Sequence, residues 1–164
     1  MKPEAETLFK EGIRALHERQ FKRAIEALEA AHAADPDDVD ILLNLGGAYI
    51  LAGMHKKALP LLERAAELAP DNANAWINLA AARLGPLDIS TPEQQEGAIE
   101  AWLRALDANP QAPNVHYMLG LVHHHRGDYA KAEHYFNEAL RVNPEDTDAQ
   151  TMLERTRTAM RGED

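Results

Sequence analysis

The chain has 164 residues, 45% of them apolar and 27% charged, which suits one domain with a sizeable core and excludes a disordered tail. A net charge of −10 lacks the basic footprint that grips nucleic-acid phosphates, and it disfavours anionic membrane surfaces. The absence of cysteine excludes disulfides, thiolate metal sites and a cysteine nucleophile. No apolar run nears the ~18 residues of a membrane span and "MKPEAETLFKEG" has no apolar leader, so the expectation is a cytoplasmic protein without membrane insertion.

Along the chain, proline-marked helix stops recur: "AADPDD", "LAPDNA", "DANPQA" and "RVNPED". Their prolines, Pro36, Pro70, Pro110 and Pro144, are spaced by 34, 40 and 34 residues. A period in that range points to stacked supersecondary units, because one unit cannot bury its apolar face alone. Before each proline, other residues fall into register. Ala24, Ala58, Ala98 and Ala132 stand twelve residues upstream, and Ala31, Ala65, Ala105 and Ala139 stand five upstream. Between them lie Leu28, Leu62, Trp102 and Phe136. Alanines flanking a large residue at helical spacing let two helices approach while a knob fills the gap. An earlier helix in each unit repeats as well: "ILLNLGGAYI" matches "AWINLAAARL" and "VHYMLGLVHH", with Gly12, Gly46, Ala80 and Gly120 in one small-residue slot.

The third unit is longer by six residues, within "LGPLDISTPEQQEG". Thr91 reads as an N-cap, with Pro92 at the first helical position and Gln94 closing a capping box. The spacing therefore predicts a loop over 85–91 and a helix from Pro92; the loop is either a plain surface insertion or a partner contact. After Pro144, Met152, Leu153, Thr156 and Met160 give one mildly apolar face, and Arg155, Arg157 and Arg161 a solvated one. That pattern predicts a capping helix over about 146–161.

These motifs resemble the tetratricopeptide repeat, whose signature runs W-x2-L-G-x2-Y and then alanine, phenylalanine, alanine and proline at fixed offsets. Leu42, Leu45, Gly46, Tyr49, Ala58, Leu62, Ala65 and Pro70 fill those slots; the first unit departs with Glu11 and Ala15. The resemblance implies an all-α superhelix, a solenoid of four helix-turn-helix repeats (5–38, 39–72, 73–112 with the insertion, 113–146) and a C-terminal capping helix, in a single domain 1–164.

Such arrays are mostly protein-binding scaffolds without catalytic activity or cofactors, in which the first helix of each unit lines a concave groove. Carried over, the groove slots fall on Glu6, Phe9, Lys10, Ile13, Leu16 and His17; on Asp40, Leu43, Asn44, Gly47, Ile50 and Leu51; on Asn74, Ile77, Asn78, Ala81 and Leu84; and on Asn114, Tyr117, Met118, Leu121, His124 and His125. Asn44 and Asn78 occupy equivalent slots, and an amide both donates and accepts, so the pair suits the backbone of a bound peptide. The apolar slots suit an amphipathic segment. Some relatives clamp acidic C-terminal tails through lysine, asparagine and arginine. Here Phe9, Ile13, Asn74 and Asn78 stand where most of those groups belong, which argues against an acidic-tail partner. Self-association into a homo-oligomer is the competing binding mode.

Eight histidines raise the question of a metal enzyme. No two are spaced i, i+4, the separation that lets a helix present two ligands together. Adjacent rings in His123–His125 point about 100° apart. No nucleophile or phosphate-loop motif is present, and the only serine is Ser90. The expectation is no metal site and no enzyme. In "HHHRGDY", Gly127 and Asp128 read as an inter-helix turn before a helix-starting aspartate, not as an adhesion signal. His123 takes the tyrosine slot and should pack between helices, while His124 and His125 fall at a groove-facing helix end that favours protonated imidazoles.

Overall fold

Several helices start where a side chain accepts the first free amides, and the second helix of each unit stops where a proline forces its predecessor into extended geometry. The computed structural model describes residues 1–162, so the last two residues of the expected 1–164 span lie outside the described residues. In chain order the helices are α1 (Pro3–His17), α2 (Phe21–Ala34), α3 (Val39–Leu51), α4 (His55–Leu68), α5 (Ala73–Leu84), α6 (Pro92–Ala108), α7 (Val115–His125), α8 (Tyr129–Val142) and α9 (Thr147–Arg161). A 3₁₀ turn, Leu87–Ile89, lies between α5 and α6. Asp38 Oδ1 accepts from the Ile41 amide at 3.2 Å, Asn72 from Asn74 at 3.0 Å, and Asp146 from Asp148 and Ala149 at 3.1 and 3.0 Å. The fourth unit has Ala112 in that slot, which cannot cap, and α7 starts late, from Asn114 at φ 63°. Asp35, Ala69, Asn109 and Asn143, each before its proline, have φ between −133° and −148° and end α2, α4, α6 and α8.

Consecutive helices pack against each other, and α1 touches α3, α3 touches α5, and α7 touches α9, so the odd-numbered helices form one layer of a solenoid and the even-numbered ones the other. Close approach within each pair depends on the small-residue slot. A Cβ on Gly12, Gly46 or Gly120 would meet Leu28, Leu62 or Phe136 at 2.6 Å, and those three side chains are fully buried. One core cluster runs from Leu28 on α2 to Val122 on α7, and a separate one joins Ala132 and Phe136 on α8 to Leu153 on α9. A side-chain donor six residues after the proline ties the turn down in three units: Trp76 Nε1 donates to the Pro70 carbonyl at 2.8 Å and Gln150 Nε2 to Pro144 at 2.9 Å. His116 Nε2 does the same to Pro110 at 3.3 Å, which places its proton on Nε2 because a carbonyl only accepts.

The predicted capping box is formed: Thr91 Oγ1 accepts from the Gln94 amide at 3.2 Å and Gln94 Oε1 from the Thr91 amide at 2.9 Å. The loop expected over 85–91 is more ordered than its sequence suggests, because it contains the 3₁₀ turn and packs Leu87 against the core. On α9, Ala149, Leu153 and Thr156 are buried and Met152 packs on the C-terminal cluster, but Met160, expected on the same apolar face, is exposed in the last turn.

Candidate binding groove

Helices α1, α3 and α5 lie side by side, and their shared face opens a cavity of about 360 Å³. Its wall is built mostly by α3, through Leu43, Asn44, Gly47, Ala48, Ile50 and Leu51; α1 adds Leu16, and α5 adds Asn78 and Ala81. Helical spacing explains the set, since residues three and four apart share a face. Gly47 widens the cavity, as a Cβ there would meet nothing within 4 Å. The Asn44 amide donates to the Asp40 carbonyl at 2.8 Å, leaving its oxygen as an acceptor. The Asn78 side chain makes no hydrogen bond within the described residues, so both its donor and acceptor are available. No lining side chain of this cavity titrates, so it offers apolar contact and neutral amide bonding rather than proton transfer.

Of the residues placed in the groove from sequence, Leu16, Leu43, Asn44, Gly47, Ile50, Leu51, Asn78 and Ala81 meet in this one cavity. Phe9 and Ile77 are half-buried and pack on the core, and Ile13 is also half-buried. Lys10 is exposed and ion-paired with Glu6 at 2.6 Å, which holds that carboxyl below its usual range, and His17 is exposed. Leu84 must be removed from the groove: it is 3% exposed and belongs to the core, because the chain reverses at Gly85 (φ 62°) and Leu87 folds back on the same cluster.

The fourth unit's candidates are dispersed. Asn114 and Tyr117 line a smaller cavity of about 120 Å³ beside the α8–α9 turn. Met118 packs on the main core, while Tyr117 and Leu121 pack on the C-terminal cluster, where the Tyr117 and Phe136 rings lie 5.9 Å apart. His124 turns to α9, with Nδ1 2.9 Å from Thr156 Oγ1, and lines a cavity of about 380 Å³ with Tyr129, Thr151, Glu154, Arg155 and Thr158. His125 is exposed.

His123 is buried as expected, stacked on Tyr135 with centroids 5.5 Å apart and planes at 11°. Burial pushes its imidazole below the ordinary range, Arg126 and Lys131 add to that, and Asp128 opposes it. The turn glycine has φ 77°, but the Asp128 side chain does not cap α8; its carboxylate lies 3.4 Å from His123 Nδ1 and 3.8 Å from Arg126 Nε. Among the described residues no three histidine or carboxylate side chains come together to hold a metal ion, and no helix is long and apolar enough to cross a membrane.

Sequence reasoning missed two features. The polar face of α9 walls the cavity beside His124; Thr151, Arg155 and Thr158 repeat the spacing of the groove slots, a signal obscured by reading that face as solvated. On the outer side, between α4 and α6, a cleft of about 440 Å³ has Trp76 on its floor with the Arg104 guanidinium 5.2 Å from the ring centroid. Tyr49 also has a second role: its hydroxyl donates to Glu29 on α2, and burial together with that carboxylate pushes its pKa up to about 12.

Among curated proteins the chain is 30% identical over 106 residues to the heat-shock protein cognate (HSC) co-chaperone sgt12 of Aspergillus fumigatus, covering 65% of this chain and 29% of that protein. It is 30% identical over 125 residues to Protein FlbA of Caulobacter vibrioides, covering 76% and 20%. The chain thus spans less than a third of the length of these relatives. Among solved structures it superposes on the MamA protein with a TM-score of 0.84 at 25% identity, over 99% of this chain and 85% of that one. YrrB, described as a TPR protein with an unusual peptide-binding site, gives a TM-score of 0.77 at 20% identity over 90% and 73%, a likeness of fold alone. The profile of the tetratricopeptide repeat matches residues 9–73, 96–147 and 126–153. With its profile spread over most of the sequence and its helices stacked as a two-layer solenoid, the chain belongs to the tetratricopeptide repeat family, whose fold serves as a scaffold for protein–protein interaction.

Proposed function

We propose that this chain is a non-catalytic binding module that holds a segment of a partner protein in the cavity between α1, α3 and α5. The observation that carries the proposal is the lining: aliphatic side chains surround two amides one repeat apart, and the Asn78 side chain has no hydrogen-bond partner among the described residues. A peptide backbone supplies the missing donors and acceptors, while its apolar side chains cover Leu43, Ile50 and Leu51. The cavity contains no lysine or arginine to receive a carboxylate-rich tail, and Lys10 nearby is engaged by Glu6. An acidic C-terminal tail is therefore not its ligand.

Affinity capture with wild type and with Asn44→Ala plus Asn78→Ala tests the reading. Net hydrogen bonds are each worth about 0.5–1.5 kcal/mol, so loss of those to both amides should weaken capture about tenfold or more. Equal recovery of the same partner by the double variant would place binding elsewhere, and light scattering would then decide whether the captured species is a second copy of the chain.

A further inference from the structure

The two ends of α3 and α5, the helices that wall the cavity, differ in chemistry. Where the chain enters α3 and α5, carboxylates gather: Asp35, Asp37, Asp38 and Asp40 before and in the first turn of α3, and Asp71 before α5. Asp40 stands one helical turn before the cavity residue Asn44, whose amide its carbonyl receives. Asp37 is offset by Arg64 at 2.8 Å, and Asp35 and Asp38 by the Met1 ammonium at 3.8 and 3.0 Å, whereas Asp40 and Asp71 have no cation within ion-pair distance among the described residues. At the far ends of the same helices the chain shows apolar side chains to water: Leu51 is 69% exposed, Met54 42% and Ile89 74%.

Ile89 is held in place by construction. Ser90 Oγ donates to the Leu87 carbonyl at 2.7 Å, and the buried Gln95 amide donates to Ser90 Oγ at 3.0 Å. Leu87 packs on the core, and the capping box at Thr91 fixes the exit. The six-residue insertion is thus anchored on both sides while its isoleucine stays in solvent.

We infer that the cavity takes an apolar segment with lysine or arginine at one end, its basic end at Asp40 and Asp71 and its apolar end across Leu51 and Ile89. This rests on the cavity being the binding site and adds the partner's polarity. Unpaired carboxylates at one border attract a cation and repel an acidic segment, which fixes direction as well as partner class. The insertion supplies the apolar lip at the opposite border, which gives the third unit's added residues a use in recognition.

The test uses fluorescein-labelled peptides with leucines at helical spacing followed by a run of lysines, or by a run of glutamates. The lysine peptide should bind and the glutamate peptide should not. Asp40→Asn with Asp71→Asn should weaken the lysine peptide about fivefold or more and flatten its salt dependence. Glu26→Gln with Glu96→Gln, the same change in net charge on α2 and α6, should leave affinity within about twofold. Ile89→Ser should weaken binding and leave the salt dependence as it was. Gly47→Phe fills the open space at that position and should abolish binding while circular dichroism stays native. Equal effects of the two charge pairs, or equal binding of the two peptides, would overturn the polarity while loss in Gly47→Phe keeps the cavity. Binding that survives Gly47→Phe, or no binding by any peptide, would overturn the cavity reading and this inference together.

Discussion

Gly46 and Gly47 are neighbours on α3, and their surroundings assign them opposite roles. A methyl on Gly46 would sit 2.6 Å from Cγ and Cδ2 of Leu62, a fully buried side chain with no room to retreat, whereas Gly47 faces open space. Gly46→Ala should therefore destabilise the fold by about 1–3 kcal/mol through overpacking. Gly47→Ala should stabilise it by about 0.5–1 kcal/mol, because only the entropic cost of glycine in a helix is removed. Urea titration of both variants checks the pair, and equal shifts would show that Leu62 adapts. The Gly46 slot was legible in sequence because it recurs at Gly12 and Gly120 in register with the large residues Leu28 and Phe136. Leu84 was misplaced because slot counting assumes that the helix leads into an ordinary turn, and the insertion breaks that assumption. Arg19 is another departure: it holds φ 57° in the slot that Gly53 and Gly127 fill in units two and four, a conformation that glycine adopts more cheaply.

Helix boundaries follow from caps, and the caps explain which elements were easy to read. Proline-preceded stops and the Thr91 box are local chemistry, visible in a single string of residues. The late start of α7 is local too, but it arises from a missing cap at Ala112, and an absent side chain is harder to notice than a present one. Side-chain destinations across elements were less legible; Asp128 fits the cap position by sequence, yet its carboxylate serves His123 and Arg126 instead. Burial of His123, which Asp128 only partly offsets, makes the α7–α8 pair sensitive to pH. The folded imidazole of His123 binds a proton less readily than in the unfolded chain, where histidine titrates near 6.5. Acidification through that value protonates the unfolded chain first, so stability is full above it and falls as pH drops towards the depressed folded value. The urea midpoint of wild type should decrease from pH 7 to about 5.5, and His123→Phe, which can keep the stack on Tyr135, should show a smaller decrease. Identical slopes in the two proteins would remove His123 as the source.

At the scale of the whole molecule, a solenoid divides its stability among neighbouring units. The period of the prolines made this architecture legible, because stacking is a property of the repeat and not of any one contact. The division of the odd-layer face into a main cavity on α1, α3 and α5 and a polar one beside α9 was not legible, because it depends on which helices of that layer meet in three dimensions. The core divides in a matching way: the main cluster is continuous from α2 to α7, but Phe136, Ala132 and Leu153 form a cluster of their own. Leu153 is 7% exposed and joins α9 to Phe136, with Tyr117, Leu121, Leu140 and Met152 around it. Its truncation to alanine should cost about 2–3 kcal/mol, within the range for emptying a buried leucine site. In a one-dimensional array that loss should remain near its origin. Hydrogen exchange of Leu153→Ala should accelerate first in α8 and α9, while amides of α3 and α4, which share no cluster with the substituted site, should keep wild-type protection. Uniform acceleration along the chain would instead mean that the solenoid unfolds as one cooperative unit, with the α8–α9 core coupled to the cavity at α3 more tightly than its separate clusters imply.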